Sequence, residues 1–281
     1  MEMHDLNSMR ISVSILHVDR AKWKKFVDEI QISSWVNQSL HNFEFNYYTS
    51  LDSRLWQVIN KCVEWMRWKG NRYTAYGISY FLMYIFRPLR NKIPRYFKVK
   101  VDDFGFNHFV VKFPELTSTM RWKRMAIIDN FLRNTDNDLL IMLTSTSILN
   151  LSKVNIVLAS LLNLKENEKK KKGGAFAGGP IGDCADGEFI SGSFVVLNRD
   201  AAKLVLRDLS KHPVHSMDDI SLSVGLRSSG VALTELPSLN LESIEKLNLT
   251  TNELFQTYLH FRPSTRDCFL YMKACSNRII A

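Results

Sequence analysis

The sequence predicts an α/β protein built around a largely buried sheet, and three observations carry that expectation. Short β-branched and apolar runs alternate with segments of helical period. One of those runs, Leu139–Leu143, is almost purely apolar, as a central strand covered on both faces must be. The chain has 281 residues, 46% of them apolar, which is enough for a substantial core.

The elements follow in order. Ile11–Val18 is β-branched and short, a buried strand. Ala21–Ile32 has helical spacing, and Phe43–Tyr48 alternates like a strand. Leu51–Trp68 places Leu55, Val58, Ile59, Cys62, Trp65 and Met66 at helical intervals, which predicts one apolar face. Tyr73–Phe86 is the longest apolar run and is too short to span a bilayer. It reads either as a buried helix or as an interfacial helix followed by Arg87, Arg90, Lys92 and Arg95. Tyr96–Val101 and Phe109–Phe113 are strand-like. Thr117–Leu132 is a helix that Ser118 or Thr119 caps, with Trp122, Met125, Ile128, Phe131 and Leu132 on one face. The apolar strand after Asp138 stops at Thr144-Ser145-Thr146-Ser147, and Asn150–Leu164 is helical. Lys165–Lys172 is a charged loop and Ala175–Gly179 a short strand. Phe189–Leu197 is a turn running into a strand, Arg199–Leu209 a helix, and Asp219–Leu226 a further helix with Asp218 and Asp219 at its start.

The net charge of +9 fits an anionic partner or an ordinary basic surface. Four cysteines without a CxxC pair argue against a zinc site or a disulfide scaffold and fit a reducing compartment. Met1–Arg10 is polar and has no signal-peptide core, so the expected setting is cytoplasmic, with membrane association if Tyr73–Phe86 is exposed. Of three Asn-x-Ser/Thr sites, at Asn37, Asn150 and Asn248, the second lies close to the hydroxyl cluster. No Walker, Rossmann, GxSxG, HExxH or kinase signature is present.

Four features carry candidate chemistry. Thr144, Ser145 and Thr146 sit where a central strand stops, the end at which open α/β sheets bind ligands, although such hydroxyls also make plain turns. Asp218 and Asp219 open a helix, where free amides and the macrodipole favour carboxylates. Either both cap, or one caps while the other faces a cleft and takes a proton from an attacking hydroxyl. Ser191-Gly192-Ser193 is either a tight turn or a place where a ligand approaches the backbone. His260 and Arg262 form a small basic group that is either surface or able to meet a metal or diphosphate.

Taken in order, these segments resemble the β-1,3-galactosyltransferase-like family and its bacterial and viral relatives. The resemblance runs over about residues 117–265. It rests on Lys123 in the helix Met120-Arg121-Trp122-Lys123, the strand ending in Thr144-Ser145-Thr146, and Asn150. It continues through Ser191-Gly192-Ser193 before a strand and helix with Asp200, then Asp218-Asp219-Ile220 with Gly225 and Gly230, and a late His260. It implies the GT-A fold, a mixed, mostly parallel sheet with helices on both faces, as one domain. About 1–143 would be the nucleotide-binding half and about 144–281 the acceptor and catalytic half. It implies transfer of a sugar from a nucleotide-sugar, with UDP as the default carrier, to a glycan or glycolipid hydroxyl with inversion. Asp219, beside Asp218, would be the general base. Thr144, Ser145 and Thr146 would lie at the sugar, Lys123, His260 and Arg262 at the diphosphate or sugar, and Ser191, Gly192 and Ser193 at the acceptor.

One departure matters. The family's Asp triplet holds Mn²⁺ or Mg²⁺ on the diphosphate, and here three hydroxyl residues stand in its place, which are not strong ligands for a hard cation. Either basic residues neutralise the leaving group without a metal, or the metal and the activity were lost together. An inactive carbohydrate-binding relative and a basic nucleic-acid-binding protein stand as the alternatives. The second has no recognisable binding motif or stacking platform, so no nucleic acid is expected.

Overall fold

The computed structural model describes residues 9–16, 27, 42–51, 53–69, 77–78, 81–82, 84–103, 105–115, 120–151, 153–158, 160–161, 174–213, 217–241 and 257–263. The helix expected over Ala21–Ile32 (Val27 excepted), the lysine run, the capping Ser118 and Thr119, and the glycosylation positions Asn37 and Asn248 lie outside the described residues.

The strands in chain order are β1 (Ile11–Leu16), β2 (Phe43–Leu51), β3 (Tyr96–Val101), β4 (Asn107–Pro114), β5 (Leu139–Thr144), β6 (Ile148–Leu149), β7 (Ala177–Gly179), β8 (Ile181–Cys184), β9 (Gly187–Ile190), β10 (Phe194–Asn198), β11 (Leu233–Glu235), β12 (Ser238–Leu241) and β13 (His260–Pro263). The longer helices are α1 (Arg54–Trp68), α2 (Met120–Asn134), α3 (Arg199–Arg207) and α4 (Asp218–Ser228).

Eight strands form one sheet in the order β11-β7-β10-β5-β1-β2-β4-β3. The four strands β5, β1, β2 and β4 are mutually parallel. β10 is inserted antiparallel between β5 and β7, β11 runs parallel to β7, and β3 closes the other edge antiparallel to β4. The result is the mixed, mostly parallel sheet that the resemblance implies.

Residue alternation along the strands divides the core into two layers. Ile11, Val13 and Ile15 of β1 and Leu139, Ile141 and Leu143 of β5 face one side. They meet Leu151, Val154 and Leu158 of the segment after β6, together with Phe261 of β13. Leu140 and Met142 of β5 and Val195 and Leu197 of β10 face the other side. There they pack on Trp122, Met125 and Ile128 of α2, Ala201 and Val205 of α3, and Leu222 and Leu226 of α4. Helices therefore cover both faces, and each fully buried aliphatic side chain contributes about 1.5–3 kcal/mol.

Polar side chains tie the layers together. Asn198 caps α3 by accepting the Ala201 amide, and it also accepts the Phe176 amide and donates to the Gly174 carbonyl. Arg199 donates to the carbonyls of Leu132, Thr135 and Asn137, closing the end of α2 with the cationic group that a helix C-terminus favours.

Two expectations are corrected. The apolar stripe of α1 is not core: Leu55, Val58, Cys62 and Trp65 are exposed, and this helix buries Val63 instead. In the run Tyr73–Phe86, Phe81, Tyr84 and Ile85 are likewise exposed, so the buried-helix reading fails for them. Among the described residues no helix is long and apolar enough to cross a membrane.

Candidate functional site

The register of β5 with β10 assembles the site. Phe194 pairs with Leu143, so the turn Ser191–Ser193 that precedes β10 lies beside the residues that follow β5. The Thr144 amide donates to the Ser193 carbonyl at 3.4 Å, and the Ser147 hydroxyl donates to the same carbonyl at 2.9 Å. The Ser145 amide reaches the Leu16 carbonyl at the end of β1. Thr144 Oγ1 lies 3.3 Å from Thr146 Oγ1 and 3.0 Å from Ser147 Oγ. Two of the predicted groups, Thr144–Thr146 and Ser191–Ser193, are thus neighbours at the carboxyl ends of the parallel strands, where open sheets place ligands.

The helix α4 brings the third. Gly192 donates its amide to Asp219 Oδ2 at 3.1 Å, and Asp219 Oδ1 takes the Ile220 amide at 3.0 Å. The N-cap position is Met217, which makes no side-chain cap, so neither carboxylate caps from outside the helix. Asp219 instead satisfies a first-turn amide from within. Asp218 turns to Arg124 of α2 and forms an ion pair with its Nε. Arg124 Nη2 donates to the Gly192 carbonyl at 2.8 Å. One arginine therefore holds both the turn and the helix start, and Gly192 is bonded through its amide to Asp219 and through its carbonyl to Arg124. Arg124 Nη1 is buried without a hydrogen-bond partner among the described residues.

The glycines of this region have steric causes. A Cβ on Gly192 would collide with the Arg124 guanidinium and press on Asp219, with Cβ and Oδ2 at 3.3 and 3.4 Å. A Cβ on Gly225 would run into the ring of His212, which is buried beside α4 with its Nδ1 3.1 Å from the Ser221 carbonyl. Arg121 fixes the approach to α4 by donating to the carbonyls of Arg90, Leu209 and His212.

The surroundings of Asp219 change its proton affinity. Burial, and then the neighbouring charge of Asp218, push the Asp219 carboxyl above the ordinary carboxylate range, against the pull of Arg124 and two backbone amides. That shift makes Asp219 a better proton acceptor than a free aspartate at neutral pH.

The remaining predicted residues are placed differently. Lys123 is buried and forms an ion pair with Glu115 at 2.6 Å, and Glu115 also accepts the Ser50 amide. Its ammonium is therefore engaged on the α2 layer and is not part of the Asp219 group. His260 is buried in β13, stacked on Phe194 at 4.9 Å, with Nδ1 2.6 Å from Ser238 Oγ. Burial, and then Arg262, lower its pKa to about 3, so it is a neutral imidazole. Through the pairing of His260 with Leu149 it lies next to the strand that follows the hydroxyl turn. Arg262 follows on the same strand and is half-buried. Arg124 was not singled out by the sequence. A cation in a helix of mixed composition reads as a solvent-facing residue, and its acidic partner lies 94 positions away.

The divalent metal that the resemblance implies does not fit these residues. Thr144–Thr146 offer only hydroxyls, that of Thr144 bonded to those of Thr146 and Ser147, and no group of three or more His, Cys, Asp or Glu that could hold a metal occurs among the described residues.

No known family profile matches the chain, and no curated protein matches it. Among solved structures, 96% of the chain aligns with 99% of a glycosyltransferase involved in the glycosylation of the major capsid of PBCV-1, at 11% identity and a TM-score of 0.46. The same share aligns with 63% of the glycosyltransferase GlyE of Streptococcus pneumoniae TIGR4, at 8% identity and a TM-score of 0.41.

Proposed function

We propose that this protein is a glycosyltransferase that moves a sugar from a nucleotide-sugar, UDP being the default carrier, to a hydroxyl of a glycan or lipid-linked acceptor. The observation that carries the reading is the position of Asp219. Its carboxylate is bonded to the amide of Gly192, the middle residue of the Ser191–Ser193 turn beside the carboxyl end of β5, and has its proton affinity raised by burial.

In this reading the acceptor lies over Ser191–Ser193, and Asp219 removes the proton from its attacking hydroxyl. The oxygen displaces the nucleoside diphosphate from the anomeric carbon in one step, with inversion. Thr144, Ser145 and Thr146 bond the donor sugar. Arg124 aligns Asp218 through their ion pair and holds the turn through the Gly192 carbonyl. Arg262, on the strand that pairs with β6 after the hydroxyl turn, serves the leaving diphosphate, while the neutral His260 supports the turn through Phe194.

A second reading has its own observation. Hydroxyls in place of a carboxylate triplet, with no metal-ligand cluster among the described residues, suit a relative that binds nucleotide-sugar without transferring it. A thermal-shift panel of nucleoside diphosphates and nucleotide-sugars, each with Mn²⁺ and with EDTA, separates the two when followed by a diphosphate-release assay. A ligand specific to the native state raises the melting temperature. A shift with one nucleotide-sugar that survives EDTA, together with diphosphate release, supports metal-independent transfer. A shift without release supports the binding protein, and the absence of any shift in folded protein refutes both.

A further inference from the structure

Away from this site, α1 and residues 77–86 turn an apolar face with basic edges to solvent. Leu55, Val58 and Trp65 are 62%, 57% and 62% exposed, and Cys62 is exposed with them. Positions 55, 58, 62 and 65 follow one side of a helix. The other side holds the buried Val63 and the half-buried Trp56, whose ring meets Phe86 at 6.4 Å. Phe86 packs in turn on Phe113 and Trp122, which anchors both helical segments to the sheet. Next to it Phe81, Tyr84 and Ile85, spaced as one helix face, are 62%, 68% and 50% exposed. Six large apolar side chains on two touching segments are more than scattered surface residues, and such patches mark interaction sites.

The charge along these segments is predominantly positive. Arg54 and Lys61 border the stripe of α1, Lys69 follows its end, and Arg87, Arg90 and Lys92 follow Phe86, all exposed. None of these six makes an ion pair among the described residues. Over residues 54–95 the sequence has nine Lys and Arg against the single acidic Glu64, so most of the net charge of +9 is concentrated here.

We propose that this face docks on an anionic lipid bilayer, with Leu55, Val58, Trp65, Phe81, Tyr84 and Ile85 entering the interfacial layer and the cations above lipid phosphates. An amphipathic surface with aromatic and aliphatic residues beside Lys and Arg is suited to that boundary. A second copy would bring like charges together, and a nucleic acid would leave the aliphatic side chains without an apolar partner. The proposal does not depend on sugar transfer, since none of these residues belongs to the Asp219 site.

The test is sedimentation of the full chain with vesicles of phosphatidylcholine alone and of phosphatidylcholine mixed with phosphatidylserine. Binding is expected on the anionic vesicles, weakening as salt rises. Lys61→Gln and Arg87→Gln should each weaken it about fivefold. Trp65→Ser with Phe81→Ser should weaken it about tenfold or more at every salt concentration. These positions are exposed, and an unchanged circular-dichroism melt verifies each fold. Absence of binding by folded protein, binding indifferent to both sets of variants, or self-association or RNA binding through the same residues in place of vesicle binding overturns the proposal.

Discussion

Arg124 joins the Ser-Gly-Ser turn to the start of α4, so Arg124→Met should disturb stability and activity together. The substitution keeps most of the aliphatic volume and removes two interactions. One is the ion pair with Asp218, whose side chain is 22% exposed while that of Arg124 is 3% exposed. Stranding one partner of a fully buried pair costs about 3–5 kcal/mol, and the solvent that reaches Asp218 reduces this to about 2 kcal/mol. The other is the charge-assisted bond to the Gly192 carbonyl, for which about 1–2 kcal/mol is appropriate. The sum, roughly 3 kcal/mol, lowers the melting temperature of a chain this size by roughly 5 °C. Asp218→Asn in the Arg124→Met background removes the stranded charge, so the double variant should be about 1 kcal/mol more stable than additivity predicts. Urea melts of the four proteins complete the cycle. Additive single effects, or an Arg124→Met cost under about 0.5 kcal/mol, would refute the claim that this pair fixes the site.

Other consequences follow from the same geometry. Gly192→Ala places a methyl against the Arg124 guanidinium and Asp219, so turnover should fall at least tenfold while the melting temperature drops by only a few degrees, read by diphosphate release and a thermal melt. The raised Asp219 pKa means that activity is lost as pH falls through a value above the ordinary aspartate range. Asp218→Asn removes a negative neighbour and leaves Arg124 to act on Asp219, so the acid limb of the kcat/KM profile should move to lower pH. His212 and His260 have folded pKa values lowered to about 4 and about 3, chiefly by burial. For a base whose folded pKa lies below its unfolded value, the unfolded chain binds the proton first, so stability falls as pH drops from about 6.5 toward these values. At pH 5 each histidine should have removed about 2 kcal/mol relative to pH 8, and urea melts at the two pH values measure it.

The sheet was legible where burial on both faces leaves a continuous apolar run, as in β1, β5 and β10. The order of the hydroxyl turn, the Ser-Gly-Ser turn and the paired aspartates was legible too, because each sits at the junction of a strand or helix with a loop. Their bonding was not. The partner of Lys123 is Glu115 and that of Asp218 is Arg124, and nothing local distinguishes such buried cations from solvent-facing ones. Periodicity identified the stripe of α1 but not what faces it, since an apolar helix face has the same spacing against a core or a lipid surface. The short strands β6, β12 and β13 carry too few residues for a pattern, so the burial of His260 emerged only from the tertiary structure.

The most direct test of the account is Asp219→Asn, assayed for nucleoside diphosphate release and sugar transfer with the nucleotide-sugar that stabilises the native protein. The account predicts a folded variant that still shows the donor-induced thermal shift and turns over about 10²–10⁴-fold more slowly. Full turnover in that folded variant would contradict the assignment of Asp219 as the base.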